Sequence, residues 1–231
     1  MPNFRSLLLD VDSTLAGVEG IDWLAARRGP EAASAVADAT ERAMRGALPL
    51  EAVYGERLAR VRPGRTDCAA LSAAYEAALA PGAADALARL RGAGVRVALV
   101  SGGIRQAILP LARRLGVAAE DVHAVDVVFD AGGNYFAYDA GSPLATQGGK
   151  GEVARAVLAR WGTGARPALG CGDGSTDVAL RGPGACDALA AFTGFARREA
   201  VVAAADYVVE GFEVLASLVL GEGGPLHPVA V

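Results

Sequence analysis

The segment SLLLDVDST, residues 6–14, joins a short apolar run to two aspartates, Asp10 and Asp12. Three consecutive leucines bounded by polar residues predict a strand over residues 6–11 that is buried on both faces. In an open α/β sheet, ligands bind beyond the carboxyl ends of the strands. The segment therefore predicts a central strand of a parallel sheet that ends in a pair of carboxylates.

Three further segments share the character of this first strand. They are short apolar runs that lead into polar or glycine-rich residues, at residues 95–100, 167–172 and 206–209. Between them, stretches rich in Ala, Leu and Arg have helical spacing, at residues 83–91, 104–115 and 151–161. Strands that alternate with helices predict an α/β fold with a parallel, doubly wound sheet.

Two parts of the chain interrupt this alternation. Residues 17–78 contain no convincing strand, so we predict a helical insert after the first strand, with helices at residues 31–45, 49–61 and 66–79. Residues 125–140 alternate apolar and polar side chains around the sequence AGGN, which predicts a β-hairpin. The Ala-rich tracts at residues 31–40 and 188–205 keep an apolar periodicity and are both predicted to be helical.

Composition and charge argue against several classes of protein. The 231 residues carry a net charge of −4 and no basic cluster, so nucleic acid is not an expected partner. No apolar run has the length of a membrane span, and the first residues do not resemble a signal peptide, so no membrane is expected either. Three cysteines without a Cys-x-x-Cys spacing indicate a reducing, cytoplasmic location. The sequence predicts no oligomeric state, because apolar side chains serve a core or an interface alike.

Polar residues also follow the second and third predicted strands. Ser101 and Gly102 precede a predicted helix at Ile104, which would place a hydroxyl and free N–H groups at a helix N-terminus, a geometry that binds anions. The third strand leads into a glycine-rich loop with Asp173 and Asp177. Taken alone, each loop also fits an ordinary turn or helix cap. Carboxylates from neighbouring strands, such as Asp10 and Asp173, suit Mg²⁺.

Lys150 stands out because the other 21 of the 22 basic residues are arginines. One lysine can survive by chance where composition drifts towards Arg. A compact ammonium, however, does in a tight site what a planar guanidinium cannot. We therefore add Lys150 to the candidate site residues.

The order of these features along the chain resembles the haloacid dehalogenase superfamily of phosphotransferases. Within that superfamily, the chain is most similar to the phosphoserine phosphatase family. The matching segments are DVDSTLAGVEGID, RAMRGALPLEAVYGERL, VSGG, QGGKG and GDGSTD, at residues 10–22, 42–58, 100–103, 147–151 and 172–177. The resemblance implies a Rossmann-like catalytic core, residues 1–16 and 79–231, and a helical cap, residues 17–78, that selects the substrate.

The resemblance also implies a mechanism that uses Mg²⁺. Asp10 would be the nucleophile that forms an aspartyl-phosphate, and Asp12 would transfer protons as general acid and base. The Mg²⁺ ligands would be Asp10, Asp173 and the backbone carbonyl of Asp12, with Asp177 supporting the ligands from behind. Lys150 would contribute a positive charge to the transferring phosphoryl group.

The remaining implied roles concern the substrate, which by the resemblance is L-phosphoserine. Ser101, the N–H of Gly102, and Thr176 would contact the phosphate group. Glu19 would pair with the ammonium of the serine moiety and Arg57 with its carboxylate, with Met44 beside them. Without the resemblance, Arg57 reads as part of a solvated helix face with Arg60 and Arg62. Two positions depart from the pattern of the phosphoserine phosphatase family. Leu50 stands where the family has Phe, and Thr176 stands where many members have Asn and some have Thr.

Two other functions fit parts of the sequence. A related phosphatase or phosphotransferase could act on another small phosphorylated metabolite, in which case Glu19 and Arg57 would have other roles. A phosphate- or nucleotide-binding module or a signalling receiver could use the glycine loops or the phosphate-accepting aspartate. No Gly-x-Gly-x-x-Gly follows the first strand, however, and a receiver has no need of a long insert.

Overall fold

A six-stranded parallel sheet and a separate two-stranded hairpin organise the chain in the computed structural model, which describes residues 2–44 and 50–222. The order of the parallel strands is β3-β2-β1-β6-β7-β8, so the first strand lies in the middle of the sheet. The strands are β1 (Ser6–Leu9), β2 (Arg96–Ile104), β3 (Val122–Val125), β4 (Val127–Phe129), β5 (Tyr135–Tyr138), β6 (Ala168–Gly172), β7 (Ala188–Phe192) and β8 (Tyr207–Val209).

Helices connect the parallel strands and cover the sheet, as the predicted doubly wound fold requires. The side chains of Leu7, Leu8 and Leu9 have no exposed surface, which explains why β1 reads as a continuous apolar run. The helices are α1 (Gly20–Arg28), α2 (Pro30–Met44), α3 (Leu50–Val61), α4 (Arg65–Ala77), α5 (Ala83–Gly92), α6 (Arg105–Arg114), α7 (Gly149–Trp161), α8 (Glu199–Ala204) and α9 (Phe212–Leu220).

The segment between β1 and α5 is helical, with one helix more than the sequence predicts. The three predicted helices correspond to α2, α3 and α4, whereas α1 had not been predicted. Helix α1 is short and begins at a glycine, which favours a turn over a helix in isolation. It forms because it buries Ile21, Leu24 and Ala25 against the neighbouring helices.

The hairpin forms where the sequence predicts it. Strands β4 and β5 pair antiparallel, and the chain between them contains Gly133 in the left-handed region, with a φ of 83°. The carbonyl of Gly133 accepts a hydrogen bond of 2.8 Å from the N–H of Arg65 on α4. The hairpin therefore packs against the helical insert as well as following the sheet.

Two predictions of secondary structure are wrong. Residues 188–205 are not one helix: they form β7, a connection, and the short helix α8. All five side chains of β7 are buried, and a strand buried on both faces can be built from alanines with no alternating pattern. In addition, the second strand does not end at residue 100, and Ser101 and Gly102 lie on it. Strand β2 continues to Ile104 through an irregular pairing with β3, and α6 begins only at Arg105.

Strand register determines which loops meet beyond the sheet. Leu9 is paired with Leu99 on one side and with Cys171 on the other. The residues that follow these three, and hence Asp10, Ser101 and Asp173, emerge at the same edge of the sheet. This edge is where ligands bind in open α/β sheets, next to the point at which the strand order reverses.

Candidate active site

The chain turns sharply after β1 and thereby brings Asp10 and Asp12 to one place. The carbonyl of Val11 accepts hydrogen bonds of 3.0 Å from the N–H groups of Leu15 and Ala16. Ser13 lies in the left-handed region, with a φ of 50°, a conformation that costs energy for a residue other than glycine. The strained residue thus lies next to the two aspartates. Strained backbone conformations of this kind cluster at functional sites.

Asp10 and Asp177 hold the ammonium of Lys150 between them. The Nζ atom lies 2.9 Å from Oδ1 of Asp10 and 2.7 Å from Oδ1 of Asp177, and all three side chains are buried. Burial lowers the pKa of Lys150, but the two carboxylates outweigh it and raise the pKa above its ordinary value. Lys150 therefore carries a permanent positive charge within the site.

Asp173 completes a group of three buried carboxylates. Ligand atoms of Asp10, Asp173 and Asp177 all lie within 4.8 Å of one another. The hydroxyl of Thr14 donates a hydrogen bond of 2.8 Å to Oδ1 of Asp173. A Cβ at Gly172 would lie 2.1 Å from the carboxyl carbon of Asp177, so the glycine at this position gives that carboxylate its room.

This carboxylate group fits a divalent cation. Burial and the charge of Asp10 raise the pKa of Asp177 to about 7, against the influence of Lys150. The crowding of these buried carboxylates therefore costs free energy that a bound cation would relieve. Carboxylate oxygens are also the ligands that Mg²⁺ takes in proteins. The side chain of Asp12 does not join this group, and the contribution predicted for its backbone carbonyl stays a prediction.

Asp12 is held by two donors on one oxygen. Its Oδ1 accepts a hydrogen bond of 2.6 Å from the hydroxyl of Tyr75 and one of 3.0 Å from the N–H of Gly20. Burial, with the charges of Glu19 and Asp10, raises the pKa of Asp12 to about 7 although both hydrogen bonds lower it. A carboxyl with such a pKa can both give and take a proton near neutral pH.

Gly102 borders the same space from β2, and Ser101 precedes it on the strand without lining that space. Ser101 is fully buried, and its Oγ accepts a hydrogen bond of 2.9 Å from the N–H of Gly103. The carbonyl of Gly102 accepts one of 2.8 Å from the hydroxyl of Tyr54 on α3. A Cβ at Gly103 would lie 3.0 Å from Oδ2 of Asp12, so this glycine allows β2 to approach the aspartate closely.

A cavity of about 160 Å³ joins the carboxylates to the helical insert. Glu19 and Arg57 line it together with Asp10, Lys150 and Thr176. Arg57 is not on a solvated helix face, because only 14% of its side chain is exposed, and its Nε is buried without a hydrogen-bond partner. Met44 is the last residue of α2, and its side chain lies outside the described part of the structure.

Several residues in or beside this cavity were not predicted from the sequence. Tyr54 and Arg198 line it, Asp22 lies 2.5 Å from Nη2 of Arg57, and Tyr75 bonds Asp12. Arg198, just before α8, contacts Oδ2 of Asp173 and lies 3.5 Å from Glu19. Asp22 lies in the first turn of α1, a helix that was not predicted, so its only sequence signal was its place three residues after Glu19.

The family is shown by comparison with known proteins. Residues 7–180 match the model of the haloacid dehalogenase-like hydrolases, and the chain belongs to that family. Its relatives narrow the class further. It is 35% identical over 211 residues to the chloroplastic phosphoserine phosphatase of Arabidopsis thaliana, a match that covers 91% of this chain and 70% of that protein. It is also 35% identical over 217 residues to the phosphoserine phosphatase of Homo sapiens, covering 92% of each.

Solved structures agree on the fold. A phosphoserine phosphohydrolase-like protein from Francisella tularensis subsp. tularensis SCHU S4 superposes with a TM-score of 0.80 over 93% of this chain and 99% of that one, at 23% identity. The predicted resemblance, the Rossmann-like core fold and the enzyme class, a phosphoric monoester hydrolase, are thus confirmed. Across the described ranges 2–44 and 50–222, each helix is too short or too polar to cross a bilayer.

Proposed function

We propose that the chain is a Mg²⁺-dependent phosphatase that hydrolyses L-phosphoserine to L-serine and phosphate through an aspartyl-phosphate. One observation carries the choice of substrate: one cavity is lined both by Asp10 and Lys150 and by Glu19 and Arg57. A carboxylate and a guanidinium in the same cavity as the phosphate site complement the ammonium and the carboxylate of an amino acid.

In the first step, a carboxylate oxygen of Asp10 attacks phosphorus while the proton of Asp12 moves to the serine oxygen that leaves. Lys150, Ser101, the N–H of Gly102 and Thr176 hold the phosphoryl oxygens. The buried ammonium of Lys150 stabilises the negative charge that develops on these oxygens, because the ammonium is fixed in place before the substrate arrives.

In the second step, Asp12 takes a proton from the water that attacks phosphorus, and the bond between phosphorus and the Asp10 oxygen breaks, which regenerates the Asp10 carboxylate. The same carboxyl serves both steps because its pKa, at about 7, keeps both protonation states accessible. Asp10, Asp173 and the carbonyl of Asp12 would hold Mg²⁺, with Asp177 behind them. A bound Mg²⁺ supplies positive charge to the transferring group.

The helical insert, residues 17–78, would act as the cap that selects the substrate, because Glu19 and Arg57 both belong to it. The core would comprise residues 1–16 and 79–231. A contact between the two parts already exists at the site, where the hydroxyl of Tyr54 donates to the carbonyl of Gly102. We also propose a cytoplasmic location, which the buried free thiols of Cys68, Cys171 and Cys186 support.

Phosphate release from a panel of phosphorylated metabolites, with and without Mg²⁺, tests this function. The panel includes L-phosphoserine, D-phosphoserine, phosphothreonine, phosphohomoserine and sugar phosphates. We expect a preference for L-phosphoserine that is lost in Glu19→Gln and Arg57→Ala. Release from a different ester alone would keep the roles of Asp10 and Lys150 but refute the substrate, and release that needs no divalent cation would refute the role of Mg²⁺.

A further inference from the structure

A hydroxyl from the helical insert reaches the aspartate to which we assign proton transfer. Tyr75 lies on α4, has no exposed surface, and donates its hydrogen bond of 2.6 Å to Oδ1 of Asp12. The N–H of Gly20 donates to the same oxygen at 3.0 Å. A carboxylate oxygen has two lone pairs for such bonds, so these two donors occupy Oδ1 fully.

The local packing is built around this contact. A Cβ at position 20 would lie 2.2 Å from the hydroxyl oxygen of Tyr75 and 3.3 Å from Oδ1 of Asp12. A larger residue than glycine would therefore displace the hydroxyl from the carboxylate. The buried phenol has its partner in Asp12, and burial together with the charge of Asp12 raises the pKa of Tyr75 well above its ordinary value, so it stays a donor.

The second oxygen of Asp12 has different neighbours. Oδ2 lies beside Gly103 of β2, at 3.0 Å from where a Cβ would stand, and Asp12 lines the cavity with Asp10 and Lys150. A proton on Oδ1 would have to displace one of the two donors there. The arrangement thus distinguishes two oxygens that are chemically equal in a free carboxylate.

We infer that Tyr75 is a positioning residue that, with the N–H of Gly20, confines the transferable proton of Asp12 to Oδ2. The inference rests on the proposed function. In its first step, a bond forms between a carboxylate oxygen of Asp10 and phosphorus, and the bond between phosphorus and the serine oxygen breaks. The proton of Oδ2 moves to that oxygen, and the Asp12 carboxylate that remains is stabilised by its two donors on Oδ1.

Leaving groups of different basicity separate this role from a structural one. An alkoxide such as that of serine needs a proton as it leaves, whereas 4-nitrophenolate leaves readily without one. The ratio kcat/KM reports on steps up to the formation of the aspartyl-phosphate. We therefore expect Tyr75→Phe to lower kcat/KM for L-phosphoserine about tenfold, the effect of losing a hydrogen bond to a charged group. For 4-nitrophenyl phosphate we expect less than about a twofold change.

A matched control is Tyr207→Phe. Tyr207 lies on β8, with its ring packed against Phe4, and does not line the cavity. The Tyr207→Phe substitution should change kcat/KM for neither ester. If Tyr75→Phe lowers kcat/KM equally for both esters, Tyr75 merely supports the structure and the inference is wrong.

A double-mutant cycle with Gly20→Ala provides a second test that uses L-phosphoserine alone. The added methyl group displaces the hydroxyl in the wild type, but meets no hydroxyl in the Tyr75→Phe background. Gly20→Ala should therefore cost several-fold less in that background, and additive effects would overturn the inference. A wild type that hydrolyses neither ester would refute the proposed function itself, an outcome that differs from both of these.

Discussion

The ammonium of Lys150 lies 2.9 Å from Oδ1 of Asp10, the carboxylate that we assign as nucleophile. The same nitrogen lies 2.7 Å from Asp177, and the lysine side chain is only 5% exposed. A charge held in this way cannot reorient when the substrate binds. It is a fixed part of the site, and its position depends on the short, compact head group of a lysine.

Replacing this lysine by arginine should separate charge from shape. We expect Lys150→Arg to fold normally yet to lose about a hundredfold or more of kcat, because the larger guanidinium cannot occupy the space between Asp10 and Asp177. Phosphate release under saturating substrate measures kcat, and circular dichroism checks the fold. Arg155→Lys, on the exposed face of the same helix, is the control. A Lys150→Arg variant with wild-type kcat would end the argument for a fitted ammonium.

Asp10→Asn tests the nucleophile. An amide cannot form the aspartyl-phosphate, so we expect phosphate release to fall by at least about a thousandfold. Incubation with ³²P-labelled substrate followed by acid quenching should label the wild type and leave the variant unlabelled. Asp139→Asn, on an exposed loop after β5, controls for the loss of one charge. Covalent label on the variant would show that another residue accepts the phosphoryl group.

The sheet and its carboxylates could be predicted from the sequence because their signals are local. Three leucines and two aspartates within nine residues define both β1 and its chemistry. The strand β7 could not be predicted, because alanines that are buried on both faces carry no period of two and read equally well as a helix. This segment forms a strand because it pairs with β6 and β8. Both partners lie too far away in sequence to enter a short window around β7.

The residues that surround the reacting groups were missed for a related reason. Tyr75 is 63 residues from Asp12 in sequence, and Arg57 is 35 residues from Asp22. Neither pair has a spacing that a helix or strand would impose, so only the tertiary structure brings them together. A buried tyrosine on an apolar helix face looks the same in sequence whether or not its hydroxyl reaches a catalytic group.

Asp22 should matter for binding and not for chemistry. It lies 2.5 Å from Nη2 of Arg57 and thereby fixes the guanidinium, whose Nε is buried without a partner and is free to donate to a substrate carboxylate. We expect Asp22→Asn to raise KM for L-phosphoserine about tenfold with kcat little changed. For an ester that has no carboxylate, such as 4-nitrophenyl phosphate, KM should stay the same.

Arg60 provides the control for this prediction. It lies on the exposed face of the same helix as Arg57, so Arg60→Ala should leave both KM values unchanged, whereas Arg57→Ala should raise KM for L-phosphoserine more than Asp22→Asn does. Equal effects of Asp22→Asn on both esters would mean that Asp22 only holds α1 against α3.

The raised pKa values of Asp12 and Asp177 imply a pH-dependent stability. Their pKa is about 7 in the folded chain and 3.8 for a free aspartate side chain, so the folded state binds more protons between these limits. Stability from these groups is therefore complete below the lower value and is lost as pH rises through the higher one. We expect the Tm of the metal-free protein to fall from about pH 5 to about pH 8.

Mg²⁺ should compensate for this loss, because it neutralises the ionised carboxylates and binds only the folded state. The increase in Tm that saturating Mg²⁺ produces should therefore be larger at about pH 8 than at about pH 5. Differential scanning fluorimetry at both pH values measures it. Asp173→Asn should bind Mg²⁺ weakly and show little increase at either. An equal increase at both pH values in the wild type would contradict the proposed link between the carboxylates and the ion.

Arg198 should compete with Mg²⁺ for Asp173. Its guanidinium contacts Oδ2 of Asp173 and lies 3.5 Å from Glu19, and with 38% of its side chain exposed it can move away into solvent. A cation bound to Asp173 must displace this contact and is also repelled by the nearby positive charge. Both effects have the same sign, so we expect Arg198→Gln to bind Mg²⁺ several-fold more tightly than the wild type. Isothermal titration calorimetry without substrate measures the affinity.

The neighbouring residue is a control with the same change of charge. Arg197 is half-exposed, pairs with Glu199, and has no contact with Asp173 among those that the described residues make. Arg197→Gln should change Mg²⁺ affinity only by the weak, screened effect of a surface charge. If both variants bind Mg²⁺ with the same affinity, the contact between Arg198 and Asp173 has no part in metal binding. If only Arg198→Gln binds Mg²⁺ more tightly, the guanidinium occupies the position at which the metal binds. Arg198 must then leave Asp173 before the cavity can bind Mg²⁺.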